Sequence, residues 1–545
     1  MNGHGSTIAV IFQAGPLIGR LLIRPSSCRR LGKGDEVVLA YALIGLLAAG
    51  FGVGIGQLVA ALIDPAFAPI SVVASSVIDL PPAVVKEWAV QTFGTSAKSV
   101  VVVGVAIAVL ALAAVAGIVA RRRLWLGILI TDAVALLGIL AALARPDDGL
   151  TAAVPTLAAG LASTFALAVL VRIAARRQPQ QASVPPNTPE PQINRRALLI
   201  GGLSLAGVAA ASIAAAQFVG SRTNAVASRV STRLPLPGSP AAPLPVGVQA
   251  PITGIQPFVT PNANFYRIDT ALVVPQVQAQ NWTLRFSGLV RRPYTITYDD
   301  LLQMPMVERD VTIMCVSNPI GGNYIGNARW LGTPLMPLLE QAGIESSADQ
   351  LFSTSVDGWT CSTPLNDLAE REPLLVIGMN GEPLPIDHGF PVRMVIPGLY
   401  GFISATKWVA QIEAATYADM PAYWTVRGWA TDAPVLTGSK IEQPNPGAMK
   451  AGATNIGGVA WAMDGDGVSK VEVQVDEGPW QEANLAEVPN PVTWRQWWLP
   501  WDATPGSHVI RVRATNGLGE LQTEQEADVI PSGATGWHTI EVEAA

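Results

Sequence analysis

Five stretches of about 20 apolar residues, all before residue 220, dominate this sequence; they run over 37–62, 99–120, 124–144, 151–171 and 197–218. As helices, segments of that length match the hydrocarbon thickness of a bilayer, and a helix satisfies every backbone donor and acceptor without water. The pattern predicts a multi-domain chain whose first part, 1–220, is an all-α transmembrane bundle of five helices serving as an anchor. Small residues fill these stretches, which suits close helix packing. Asp132 in the third stretch is an ionisable group at membrane depth, read either as functional or as paired and neutral.

Charge divides the chain at the same place. Residues 1–220 carry 16 Lys+Arg against 9 Asp+Glu, and 221–545 carry 19 against 32, a split of +7 and −13. An acidic exposed half excludes a nucleic-acid surface. The basic residues also orient the bundle, since Lys and Arg collect in cytoplasmic connections. Arg20, Arg24, Arg29, Arg30 and Lys33 precede the first span, Arg121–Arg123 follow the second, and Arg172, Arg176, Arg177, Arg195 and Arg196 follow the fourth. The alternate connections hold only Lys86 and Lys98, or Arg145. Five crossings then place residue 221 onward on the extracytoplasmic side. The Asn194–Leu199 segment reads either as an embedded twin-arginine export signal or as an ordinary basic helix start. The four histidines (His4, His388, His508, His538) all lie outside the spans, which argues against haem in the bundle.

Pro-rich tracts at 185–192 and 234–247 read as extended, semi-rigid spacers, the second forming a linker at 221–250. From 251 to 422 strand and helix signals mix in an α+β pattern, with a short helix at Tyr298–Leu302 and a buried strand running up to Cys315. From 423 to 545 alternating apolar residues and regular turns predict an immunoglobulin-like β-sandwich. Three cysteines (Cys28, Cys315, Cys361) are too few for a disulfide framework. A Cys315–Cys361 bridge and a single functional thiol both remain open.

Cys315 is the sharpest chemical feature. It leaves an apolar strand and is followed by Asn318, Pro319, Gly321 and Gly322, so its sulfur projects into a loop-lined cavity where a soft metal could meet a thiolate. An inert buried thiol is the alternative. Around it stand Asn264–Arg267, Ala328–Leu335, Asp387–Arg393, Pro397–Gly401 and Lys407–Trp408.

In this order these blocks resemble the sulfite oxidase family of molybdopterin enzymes. The segment ending in Gly536, Trp537 and His538 also resembles that family's dimerisation domain, so the likeness covers about 295 residues, essentially everything beyond the linker. The resemblance implies one molybdenum ion held by a pterin dithiolene and by Cys315, the catalytic residue and metal ligand. It further implies that Asn264, Tyr266, Arg267, Thr360, His388, Arg393, Ser404, Ala405, Thr406 and Lys407 bind the cofactor, with Arg393 and Lys407 suited to its phosphate. Taken singly, Arg393 or Lys407 reads as a surface ion pair, His388 as a turn histidine and Tyr266 as a core aromatic.

The sequence departs from the family at one point. Members that oxidise sulfite carry basic residues soon after the cysteine, whereas Pro319, Ile320, Gly321 and Gly322 stand here, which suits a neutral oxide better than a dianion, unless Arg309 or Arg329 approaches. The expectation is a membrane-anchored oxidoreductase that cycles between Mo(VI) and Mo(IV) and moves an oxygen atom to or from a small-molecule substrate. Electrons would come from a separate carrier, a cytochrome or a membrane redox partner, and a homodimer is implied by the resemblance. The rivals are an S- or N-oxide reductase against a sulfite-type oxidase, and an anchored binding module that keeps the fold without the metal.

Overall fold

The computed structural model describes residues 33–79, 81, 85, 88–89, 92–93, 97–144, 150–175, 195–222 and 225–545. The basic residues before Lys33, Lys86, Arg145, Arg176, Arg177 and the Pro-rich tract at 185–192 lie outside the described residues, as do the side chains of Arg195 and Arg196.

Among the described residues the N-terminal bundle contains the helices α1 (Lys33–Ile63), α2 (Pro69–Asp79), α3 (Ala97–Ala120), α4 (Leu124–Leu143), α5 (Val154–Ala175) and α6 (Arg195–Arg222). All but α2 are long and apolar enough to cross a membrane. The sequence did not single out α2, which is too short for a span. α1 is central and packs on α3, α5 and α6, burying Tyr41, Ile44 and Ala48 against Leu167 and Leu170. Outward-facing side chains stay bare, with Leu137 66%, Phe165 66% and Leu203 72% exposed. Asp132 is not alone, because the Thr164 hydroxyl donates to it at 2.6 Å.

After the bundle, α7 (Ala225–Ser231) is fixed to the globular part through Arg229, which donates to the carbonyls of Pro383 and Leu384 and pairs with Glu382 at 3.0 Å. The Pro-rich tract is docked rather than a free spacer. Gly238 N–H donates to Met306 O at 2.8 Å and Glu308 N–H to Ser239 O at 2.9 Å. An extended proline-rich segment fits this role because it can lie beside a strand without helical competition.

The α+β part is built on two sheets. Its elements are β1 (Thr283–Gly288), β2 (Tyr294–Thr297), α8 (Tyr298–Leu302), β3 (Val307–Met314), β4 (Ile325–Pro334), α9 (Met336–Ala342), β5 (Gln350–Ser355), β6 (Thr360–Pro364), β7 (Leu374–Met379), β8 (Glu382–Pro383), β9 (Arg393–Val395) and β10 (Val409–Ala415). α8 begins with a capping box between Thr297 and Asp300, which satisfies donors at its first turn. One sheet has the order β2-β1-β10-β5-β6, with β1 parallel to β10; the other runs β3-β4-β7-β8, with β9 also on β7.

The C-terminal strands are β11 (Gly438–Gln443), β12 (Gly447–Met449), β13 (Gly452–Trp461), β14 (Val468–Val475), β15 (Gln481–Glu482), β16 (Asn484–Leu485), β17 (Arg495–Ala503), β18 (Gly506–Asn516) and β19 (His538–Ala544). They make two sheets, β11-β13-β17-β16 and β12-β19-β18-β14-β15, which bury Ile456, Val471, Trp497 and Ile510 in a common core. The large core of the α+β part also takes in Trp461 and Trp494. Trp494 N–H donates to Thr312 Oγ1 at 2.8 Å, Thr312 N–H donates to Val492 O at 3.0 Å, and Asn490 donates to Asp310 O. The edge of β3 away from β4 is thereby covered by chain from both sides of the domain.

α1 and α3 meet where Gly45 and Gly117 face each other. A Cβ at Gly45 would overlap the backbone of Ala113, and one at Gly117 the carbonyl of Tyr41. Overpacking of this kind costs about 1–3 kcal/mol. Gly45→Val and Gly117→Val are each expected to lower bundle stability by at least that much in detergent unfolding, while Gly104→Val, where a Cβ meets nothing within 4 Å, leaves it unchanged. Equal stability of all three variants would contradict the close crossing.

Candidate functional site

β3 and β4 pair in register from Val307–Gly332 to Met314–Ile325, so the chain must turn between residues 315 and 324. Cys315 N–H donates to Tyr324 O at 2.9 Å and closes that turn at its base. Asn318, 1% exposed, ties it from inside: its backbone N–H donates to Cys315 O and its Oδ1 accepts from Tyr324 N–H at 2.7 Å. Cys315 thus sits at the end of a rigid strand. Its side chain lines a cavity of about 380 Å³, together with Tyr266, His388, Arg393, Ala405 and Lys407. Neither Cys315 nor Cys361 is in a disulfide, so the bridge is excluded. Cys361 is fully buried, and burial pushes its thiol up to about 11.

Arg393 is 4% exposed and donates to three carbonyl oxygens, those of His388, Met394 and Ala405, at 3.2–3.4 Å. Its guanidinium lies 5.1 Å from the centre of the Trp330 ring. Among the described residues no carboxylate pairs with it, and burial draws it down to about 10. A guanidinium buried with carbonyl partners alone is under-compensated, and an anion is the natural complement. Burial likewise lowers Lys407 to about 8, although its ammonium contacts Asp269 at 2.6 Å. His388 is lowered to about 4, first by burial and then by Arg393 and Lys407, so it is neutral at pH 7. Its Nε2 lies 3.2 Å from Asn262 O.

Asp269 is the hub of this charge cluster. It receives Lys407, Arg267 at 2.9 Å, and Lys98 from the start of α3. Burial would raise its carboxyl, but Lys407, Lys98 and Arg267 together hold it far below the usual carboxylate range. Sequence reasoning missed Asp269 and Lys98. Asp269 stands two residues after Arg267, a visible signal; Lys98 read only as a charge in an outer connection, because nothing local says which distant carboxylate it meets.

The other expected residues are not all at the cavity wall. Arg267 turns to Asp269 and Asp387. Asn264 is exposed. Thr360 uses its hydroxyl to accept from Tyr423 N–H. The Ser404 hydroxyl donates to Leu399 O and Tyr400 O, and that of Thr406 is bonded to Ser353. Both hydroxyls are bonded within the fold, whereas Ala405 between them lines the cavity. Arg309 pairs with Glu372 and Arg329 with Asp310, and neither lines the cavity.

The turn after Cys315 is also held by the C-terminal sheets. Gly321 has φ +71°, and a Cβ there would strike the His538 ring. His538 Nδ1 accepts from Ile441 N–H at 3.0 Å, and burial, with Lys440 nearby, lowers the imidazole to about 4. A folded value below the ordinary 6.5 means that the unfolded chain binds the proton first. The contribution of His538 is therefore complete above pH 6.5 and is lost as pH falls towards 4, with a slope of up to about 1.4 kcal/mol per pH unit. His538→Gln is expected to show a shallower loss of stability in urea titrations from pH 7 to 4.5. Identical slopes for the two proteins would refute this.

Residues 271–424 match the family described as "Oxidoreductase molybdopterin binding domain". The uncharacterized oxidoreductase YuiH of Bacillus subtilis (strain 168) is 33% identical over 175 residues, covering 31% of this chain and 85% of that protein. Mitochondrial sulfite oxidase of Mus musculus is 31% identical over 290 residues, 44% of this chain and 53% of that one, so the match spans about half the length of that relative. The solved sulfane dehydrogenase SoxCD from Paracoccus pantotrophus aligns with a TM-score of 0.48 at 22% identity, over 53% of this chain and 82% of that one. On the strength of the domain match and the relative aligned over most of its length, this chain belongs to the sulfite oxidase family and is a molybdopterin-dependent oxidoreductase.

Proposed function

We propose that the chain is a multi-pass membrane protein whose extracytoplasmic part holds a molybdenum–molybdopterin centre ligated by Cys315 and transfers an oxygen atom to or from a small, uncharged substrate. The observation that carries this reading is that the Cys315 side chain shares one cavity with Arg393, a buried cation whose described partners are carbonyl oxygens. A thiol for a soft metal and a cation in want of an anion are what a phosphate-bearing metal cofactor requires.

When bound, the cofactor supplies two-electron redox chemistry and oxygen-atom exchange. Cys315 would hold the metal. Arg393 and Lys407 would take the phosphate, with Tyr266, neutral His388 and the backbone around Ala405 along the pterin. Arg267 would act through Asp269, and Asn264, Thr360, Ser404 and Thr406 would support the walls without reaching the cofactor through their side chains. Reduction of an S- or N-oxide is favoured over sulfite oxidation because in this reading the phosphate takes Arg393 and Lys407 while Asp269 holds Lys98, so a dianionic substrate would meet no spare cation on the cavity wall.

Membrane insertion is supported by the bare apolar side chains on the bundle. Its orientation is supported by α3: Lys98 at one end meets the α+β part, and Arg121–Arg123 follow the other end, which the positive-inside tendency assigns to the cytoplasm. In this reading residues 1–220 anchor the protein, 221–250 connect, 251–422 carry the cofactor, and 423–545 form an immunoglobulin-type sandwich able to support a homodimer. No haem is assigned to this chain. His388, His508 and His538 are all engaged by Asn262, Asp476 and Ile441 respectively, and electrons would pass to or from a separate carrier.

Purified protein is expected to contain one molybdenum per chain. Cys315→Ser should lower turnover by more than the ~100-fold typical of losing an outer-shell partner of a metal ligand. Arg393→Met removes the under-compensated cation, so the cofactor-free protein is expected to be as stable as the parent, or more stable. Its pterin content should fall about tenfold with loss of the charge-assisted bonds. Absence of molybdenum from the wild-type protein, or full turnover by Cys315→Ser, would overturn the reading.

A further inference from the structure

Asp269 is a buried carboxylate, its side chain 6% exposed, and three cations share it unequally. Oδ2 accepts from Arg267 at 2.9 Å and from Lys407 at 2.6 Å, while Oδ1 accepts from Lys98. Arg267 is itself divided, since its guanidinium also lies 3.3 Å from Asp387. A carboxylate taken out of water is tolerated only where cations stay on it. If one of the three turns away, the other two must suffice.

Lys407 is the cation with another place to go. It lines the Cys315 cavity together with Arg393, whereas Arg267 does not. When Lys407 turns to an anion in the cavity, Asp269 keeps Lys98 and Arg267. Without Lys98 the same movement would leave this buried carboxylate with one guanidinium, already shared with Asp387. The charges along the cavity wall point the same way. Lys98, Lys407 and Arg393 face Asp269 and Asp357, and His388 is neutral. Lys98 makes the cations outnumber the carboxylates there, which is what an anionic ligand requires.

This cation comes from the helical bundle. Lys98 is the second residue of α3, where a positive charge opposes the helix dipole, so helix formation gives no reason for it. Ala271 O accepts from the same ammonium at 2.7 Å and fixes the long side chain on the α+β part. Val101, three residues further along α3, lines the cavity with Val77 and Ile78 of α2 and backs the lysine with hydrocarbon. Charges attract more strongly beside such a wall than in water.

We propose that Lys98 is a positioning residue for the cofactor: by holding Asp269 from the helical bundle it releases Lys407 to the cofactor's phosphate, so that the bundle completes the anion site. This rests on the reading of the Cys315 cavity as the cofactor site.

The test compares the full chain, purified in detergent from cells that make the cofactor, as wild type, Lys98→Met, Lys98→Arg, Asp269→Asn and the double variant Lys98→Met/Asp269→Asn. Pterin and molybdenum per chain are measured after extended dialysis. On protein made without the cofactor, the thermal shift given by inorganic phosphate is measured as well. Lys98→Met is expected to retain about tenfold less pterin than the wild type, the loss typical of removing a group that orients a ligand-binding residue, and to lose most of the phosphate shift. Lys98→Arg keeps the charge and should keep both. Asp269→Asn has no carboxylate to compensate, so it should retain pterin as the wild type does, and the double variant should recover what Lys98→Met lost.

A lysine that only clamps the bundle to the α+β part gives a different pattern. Asp269→Asn would then break the same clamp, and the double variant would stay as depleted as Lys98→Met. That pattern, or full pterin retention by Lys98→Met, would overturn the inference while leaving the cofactor reading intact. Should Lys98→Met fail to fold, loss of pterin from Asp269→Asn would overturn it equally. Wild-type protein with neither pterin nor molybdenum would remove the cofactor reading, and the role of Lys98 with it.

Discussion

The site depends on β3 being held along both of its edges. On one side it pairs with β4 over its full length. On the other it is bonded by Ser239 from the connecting tract and by Asn490, Val492 and Trp494 from the C-terminal part. A strand with an open edge can slip or recruit another chain. Here slippage would break bonds to three separate parts of the sequence, and Cys315 emerges from the strand's end with its position fixed. The turn that follows is closed by Cys315 and Tyr324, tied by Asn318, and pressed from outside by His538.

Behind this rigid strand lies an unequal distribution of charge. Asp269 takes up Lys407, Arg267 and Lys98, whereas Arg393 donates to carbonyls, lies over the Trp330 ring and, among the described residues, pairs with no carboxylate. Burying charge this way is costly for an isolated domain and useful for one that binds an anion, since a bound phosphate would supply the missing compensation. The same cluster joins the two halves of the molecule, because one of the cations on Asp269 belongs to α3.

Much of this was legible beforehand. The limits of the five apolar stretches agree with the helices to within a few residues. Cys315 was legible from the change between an apolar strand and a Pro- and Gly-bearing turn. The capped helix at Tyr298–Leu302 was visible for the same local reason. The roles of Ser404 and Thr406 were not, because a hydroxyl next to a motif can face the cavity or the core, and that depends on where Leu399, Tyr400 and Ser353 come to lie. Lys98 was invisible as a partner for Asp269, 171 residues away. The contact between the Phe402 and Trp429 rings likewise joins separate loops with no shared spacing.

By itself the sequence determined the division into an apolar helical part and an acidic sheet-bearing part, the family, and the place of Cys315 at the end of a buried strand. These follow from length, periodicity and short contiguous motifs, which act within a few residues. Only the tertiary structure decided that Arg393 is buried with no carboxylate partner among the described residues, that the proline tract at 234–247 is docked, and that the helical bundle walls the same cavity as Cys315. Those outcomes arise from desolvation and ion pairing between groups distant in the chain, and such energies are undefined until folding has brought the groups together.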